Sequence, residues 1–261
     1  QEDVENFLGR TVDAGEDFKM AEELMYGKTA SDLKKLDKKI DRLTETMKAN
    51  GVKVGELTDY LYALHAKERN DTIFARQIKS LMENEGLTFE EAEAQANRSG
   101  SGLSTAEAAA ILDNLSDSKR SALDQATKII REIQQDTRDT YREFGLETDE
   151  TVDAFEAMFE NYVPLAGITI DEQTSDTTPT GGAGLQVRGP MTKVAQGRKT
   201  RAENIVAQII AQNSSAKITA RKNEALQAMY NLVENNPNAA IWAVDNTAKS
   251  ESPNSVGVRV N

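Results

Sequence analysis

His65 is the only histidine of the chain. Imidazole titrates nearest neutral pH, so general acid–base chemistry is sought there first. Glu68 follows by three residues and Arg69 by four, which puts all three on one face of a helix. No Ser stands in an elbow such as Gly-x-Ser-x-Gly, and the chain has no Cys. The histidine therefore reads as structural, and the chain as no enzyme. Glu147, Asp149, Glu150, Asp153 and Glu156 crowd one helix start. The helix dipole favours acids there, so neither a metal nor an acid/base pair is needed to explain them. Gly181-Gly-Ala-Gly184 lacks the Lys-Ser/Thr ending of a phosphate-cradling loop, and no cofactor is expected.

The strongest candidate surface lies at a break in charge. Residues 143–176 carry ten Asp and Glu and no Lys or Arg; residues 188–222 carry eight Lys and Arg and one acid, Glu203. A Pro/Gly/Thr-rich insert separates them. Arg188, Lys193, Arg198, Lys199 and Arg201 cluster near a helix start, where cations gain nothing from the dipole. They are read as an interaction surface. Its expected partner is the acidic helix 149–160 or a neighbouring copy; nucleic acid and a plain solvated face are the alternatives. A net charge of −12 weighs against wrapping DNA.

The elements that must position these residues are helical. Ala, Leu, Glu, Lys and Gln abound, and there are five prolines. The absence of Cys removes disulfides, thiolate catalysis and zinc–cysteine sites together. Aromatics make up 5%, too few for a large aromatic-lined pocket. No apolar run nears the ~20 residues needed to cross a bilayer. No signal peptide is visible. The chain opens on Gln1 with residues that already look helical, so it reads as a piece of a longer protein.

Residues 1–50 read as an N-terminal helical hairpin, broken near Gly27 and capped again at Ser31. Leu33, Leu36, Ile40, Leu43 and Met47 then form a heptad-like stripe. Residues 51–163 read as a central helical bundle. It has separate helices over 53–69 and 71–85, a short helix after Thr88 and another capped by Ser104. The most regular stripe runs from Ala122 to Phe144 and is closed by Gly145. Residues 164–190 form a Pro/Gly-rich insert, a loop or β-hairpin. Residues 191–244 hold a long C-terminal helix ending before Pro237. Its polar middle, Gln212 to Glu224, is expected to be exposed, or buried between copies. Residues 245–261 are a loose tail with an extended piece at 256–260. The fold class is mainly α: a multi-helix, elongated bundle with a small insertion near 165–190.

Four segments resemble a known family. They are Leu61-Tyr-Ala-Leu-His-Ala-Lys-Glu-Arg-Asn70; Ser99-Gly-Ser-Gly-Leu-Ser-Thr-Ala-Glu-Ala108; Tyr162-Val-Pro-Leu-Ala-Gly167; and Arg188-Gly followed by Gly197 to Gln208 and Asn223 to Pro237. In this order they resemble a helical module of the very large polyvalent proteins of tailed bacteriophages, over about residues 55–240. That family's pattern has Arg where Ala166 stands and Pro where Lys67 stands. His65, Arg69, Pro164 and Gly167 match motif positions, without a chemical role that carries over. The resemblance implies a structural segment of an internal virion or ejection protein, delivered to the host envelope or cytoplasm. Its partners would be itself or portal and tail proteins. A nucleic-acid-binding or DNA-protecting module is the alternative. So is a scaffold attached to an enzyme such as a virion RNA polymerase.

Overall fold

Asp17 starts the first long helix by accepting a hydrogen bond from the Met20 amide at 2.9 Å. The computed structural model describes residues 2–96, 99–158, 161–164, 202, 204–238, 240–245 and 257–260. A short α1 (Glu2–Leu8) precedes α2 (Phe18–Ala49). The hairpin expected over residues 1–50 does not form: α2 runs unbroken through Gly27, and Ser31 is an exposed mid-helix residue. Glycine in a helix interior costs about 1 kcal/mol, too little to end a helix that packing supports on both sides. The packing line is Met25, Asp32, Leu36, Leu43 and Met47.

The expected break near residue 70 is likewise absent. α3 (Val54–Glu85) is a single helix of 32 residues, roughly 48 Å long. Asn70 is buried in mid-helix and bonds to another segment instead of ending its own. Gly86 closes α3 in the left-handed region, at φ +67°. Capping boxes open α4 (Phe89–Gln95), with Thr88 and Glu91, and α5 (Thr105–Asp113), with Ser104 and Glu107. Ser116 caps α6 (Asp117–Glu143), and α7 (Asp149–Met158) follows the turn at Gly145. α8 spans Ile205–Asn235. Strand β1 (Trp242–Asp245) pairs antiparallel with β2 (Gly257–Val260), Trp242 opposite Val260. The molecule is mainly α-helical.

Leu36, Leu57, Leu61, Ile130, Ile133, Ile205 and Ile209 belong to one core. Stretches read from sequence as separate units, 1–50, 51–163 and 191–244, thus share one interior. Two smaller clusters lie further along α8. Ala216 and Ala220 meet Tyr141, Leu146 and Val152; Leu232 and Val233 meet Trp242. One helix therefore strings three cores along roughly 46 Å.

The polar middle of α8 is largely packed within the chain and not left exposed. Asn213 is fully buried against α6. Its amide donates towards Thr137 Oγ1 at 2.9 Å, the Ile133 carbonyl at 3.1 Å and Asp136 at 3.1 Å. Lys217 reaches Asp136 and Thr140, each at 2.8 Å, and Lys39 of α2 closes on Asp136 at 3.2 Å. Arg221 pairs with Asp32 at 2.7 Å and lies 4.7 Å over the Phe144 ring. These polar groups are buried because their partners stand on α2 and α6. The 165–190 insert and residues 192–201 lie outside the described residues.

Replacing Asn213 with Ala removes the donor that meets three acceptors. Urea denaturation should show a loss of about 1–3 kcal/mol. A loss below about 0.5 kcal/mol, the range of a surface change, would contradict this account of the seam.

Candidate functional site

Tyr62, His65, Glu68, Arg69 and Asn70 come from one stretch of α3, where spacings of three and four keep them close. Tyr62, His65, Glu68 and Asn70 reach into other segments. The fully buried Tyr62 hydroxyl donates to the Ser101 carbonyl at 2.6 Å and accepts from the Ala202 amide at 3.3 Å. Asn70 donates to the Leu103 carbonyl at 2.9 Å, and its own carbonyl accepts from the Ser101 amide at 2.8 Å. Ser101 Oγ adds a bond to the Leu103 carbonyl at 2.8 Å. One side-chain amide thus holds both ends of a tight turn, as a backbone group would.

The turn lies close against α3. A Cβ built on Gly100 would stand 2.5 Å from Ile73 Cγ2 and 2.9 Å from Ile73 Cβ. Only glycine lets the loop approach this near.

On the other side stands the turn 161–164. Glu68 accepts from the Asn161 side chain at 2.7 Å and from its amide at 3.1 Å. Gln134 of α6 donates to the Tyr162 carbonyl at 2.6 Å, and Arg131 reaches Asn161 at 2.6 Å. Val163 and Pro164 are buried. His65 is fully buried, its ring edge-on to Tyr162 with centroids 5.7 Å apart. Burial drives its pKa down to about 3, helped by the nearby Arg69 charge and opposed by a backbone bond at Asn161. The imidazole is neutral at neutral pH and sealed from solvent. What this arrangement does is join four segments. It is a buried polar node around Tyr62, His65 and Asn70.

Of the residues singled out from sequence, His65, Arg69 and Pro164 belong to this node or border it. Gly167, Arg188, Lys193, Arg198, Lys199 and Arg201 lie outside the described residues. The acidic helix meets cations that the sequence reading passed over. Arg142 of α6 binds Asp153 at 2.6 Å and Glu156 at 2.9 Å, and Arg138 binds Glu156 at 2.8 Å. Arg142 and Arg138 hold the Glu156 carboxyl below its ordinary range, against the opposing effect of burial. The signal was available: Arg138 and Arg142 are four apart in the last turns of α6, and the Gly145 turn folds α7 back beside them. Tyr62 and Asn70 were missed as well. Asn70, a poor helix former one turn from Ala66, Ile73 and Phe74, was the clue.

A groove of about 690 Å³ runs beside the node between α6 and Tyr162. Its arginines, Arg131 and Arg138, are already engaged with Asn161 and Glu156. Among the described residues no group of three or more His, Asp or Glu is placed to hold a metal ion. No helix among them is long and apolar enough to cross a membrane.

Two changes probe the node. Gly100→Ala should cost about 1–3 kcal/mol, because the β-branched Ile73 has little freedom to move aside. Thermal or urea unfolding reads this, and an unchanged midpoint would show that the turn yields. His65→Phe tests the buried imidazole. The folded pKa is depressed, so between about pH 6.5 and 3 the unfolded chain binds a proton that the folded chain refuses. The parent protein should lose stability as pH falls through that window, at most ~1.4 kcal/mol per pH unit from this group. The variant should show a flatter profile; equal slopes would place the histidine in water. No protein-family model, curated protein or solved structure matches the chain.

Proposed function

We propose that this chain is a structural helical segment of an internal virion, or ejection, protein of a tailed bacteriophage. In this reading it assembles with copies of itself or with portal and tail proteins and assists delivery of the genome into the host. The observation that carries the proposal is where the four resembling segments meet. Leu61, Ala63 and Ala66, then Leu103 and Ala108, then Val163, then Ala202, Ile205 and Val206 all belong to one core. Tyr62, Asn70 and Ser101 tie the first, second and fourth of these segments by hydrogen bonds. A family that shares an architecture carries its signature in such a node, where residue types are dictated by packing and buried hydrogen bonds.

The test uses the phage that encodes the parent protein. Mass spectrometry of purified particles should detect peptides of this chain. The purified chain should also self-associate in native mass spectrometry, or bind the portal or tail proteins in pull-downs. A chain that is missing from particles, stays monomeric and ignores portal and tail proteins would sink the proposal.

A further inference from the structure

The two halves of α2 are held by different forces. Residues 36–49 carry three buried apolar anchors, Leu36, Leu43 and Met47. Residues 18–35 carry one, Met25, while Met20, Leu24 and Tyr26 stand exposed at 49%, 47% and 76%. What fastens this first half is charge. Lys28 meets Glu224 of α8 at 2.6 Å. Asp32, nearly buried, meets Arg221 of α8 at 2.7 Å and Lys35 at 2.9 Å. Arg221 also holds Glu224 at 2.8 Å, so Lys28, Glu224, Arg221, Asp32 and Lys35 form one chain of bonds across the two helices.

The segment leading into α2 is fastened in the same way. Glu16 accepts from Arg10 at 2.7 Å and from Asn235 at 2.8 Å. Arg10 donates to Asn236 at 3.1 Å, and Asn231 donates to the Gly15 carbonyl at 3.1 Å.

We propose that residues 18–35 form a charge-latched arm that undocks from α8 on acidification while residues 36–49 stay packed. Asp32 is faced by Lys35 of α2 and Arg221 of α8, and Glu224 of α8 by Lys28 of α2 and by Arg221. From α6 the neighbour is the uncharged Phe144 ring, which lies under Arg221. Burial alone would raise the Asp32 pKa, but the bonds from Lys35 and Arg221 outweigh it and hold it below 3.8. Glu224 is likewise held below 4.5, burial being outweighed by Lys28 and Arg221. Glu16 is held below 4.5 by Arg10 and Asn235. Each carboxyl takes up its proton more readily with the arm released. Docking is therefore fully supported above about pH 4.5 and lost as pH falls through the lowered values.

Asp136, which faces Lys39 of α2 with Lys217 and Asn213 of α8, is also held low. It belongs to the half that Leu36, Leu43 and Met47 secure. Burying such apolar side chains stabilises by removing surface from water, and acid does not reverse that.

The experiment is amide hydrogen exchange by mass spectrometry on the whole chain, at about pH 7 and about pH 4, with rates corrected for intrinsic exchange. Expected is a selective loss of protection over 18–35 relative to 36–49 at the lower pH, because proton uptake by Asp32, Glu224 and Glu16 favours the released arm. Asp32→Asn should open the arm selectively at neutral pH, and Glu224→Gln should do so more weakly. Equal protection of both halves at the lower pH would overturn the proposal. So would their simultaneous loss, which marks global unfolding such as protonation of His65 would drive. Circular dichroism on each variant distinguishes a released arm from an unfolded chain.

Discussion

The seam between α6 and α8 is the constraint on which the other contacts depend. α8 brings Asn213, Lys217 and Arg221 into the interior at four-residue spacing, and each must find an acceptor there. α6 answers with Asp136, Thr137 and Thr140, and α2 with Asp32. Ala216 and Ala220, fully or nearly buried, keep α8 slim between these polar contacts, beside Tyr141 and Val152. A slide of one helical turn would leave several donors without acceptors. The seam therefore selects a single register, where a purely apolar one would tolerate several.

The node around Tyr62, His65 and Asn70 works by the same logic near the start of α8, beside Ala202. Its side chains are polar but turned inward, and the bonds it makes run between segments far apart in sequence. Asn70 reaches 31 residues on to Ser101, and Tyr62 reaches 140 residues on to Ala202. Such bonds form only when the whole domain closes, so they report completion of the fold. A single histidine inside such a node is a packing element, and its titration is felt as stability. This view fits a chain whose proposed work in the virion is architectural. The ionic grip on the first half of α2 gives that architecture one segment of lower stability than its neighbours.

Local signals were legible residue by residue. Thr88 with Glu91 and Ser104 with Glu107 each start a helix because a side-chain oxygen must meet an orphan amide there. Gly145 ends α6 because its left-handed backbone, φ +60°, suits glycine. The stripe from Ala122 to Tyr141 is buried as its period requires. Gly27 and Asn70 misled for one shared reason. Each is a weak local stop, and tertiary packing on both sides outweighs a cost of about 1 kcal/mol.

What the sequence determined by itself was the helical class, most helix ends and the main apolar faces, because these follow from spacing and from groups within a few residues of each other. What only the tertiary structure decided was the fate of the polar residues. Nothing local distinguishes a solvated Asn213 or Asp32 from a buried one. The difference lies in Thr137, Asp136 and Arg221, which fold closure brings to them from 76, 77 and 189 residues away. The same holds for the acidic helix, whose described cations are on α6. Charge sums along the chain cannot choose between partners that geometry alone brings within about 3 Å.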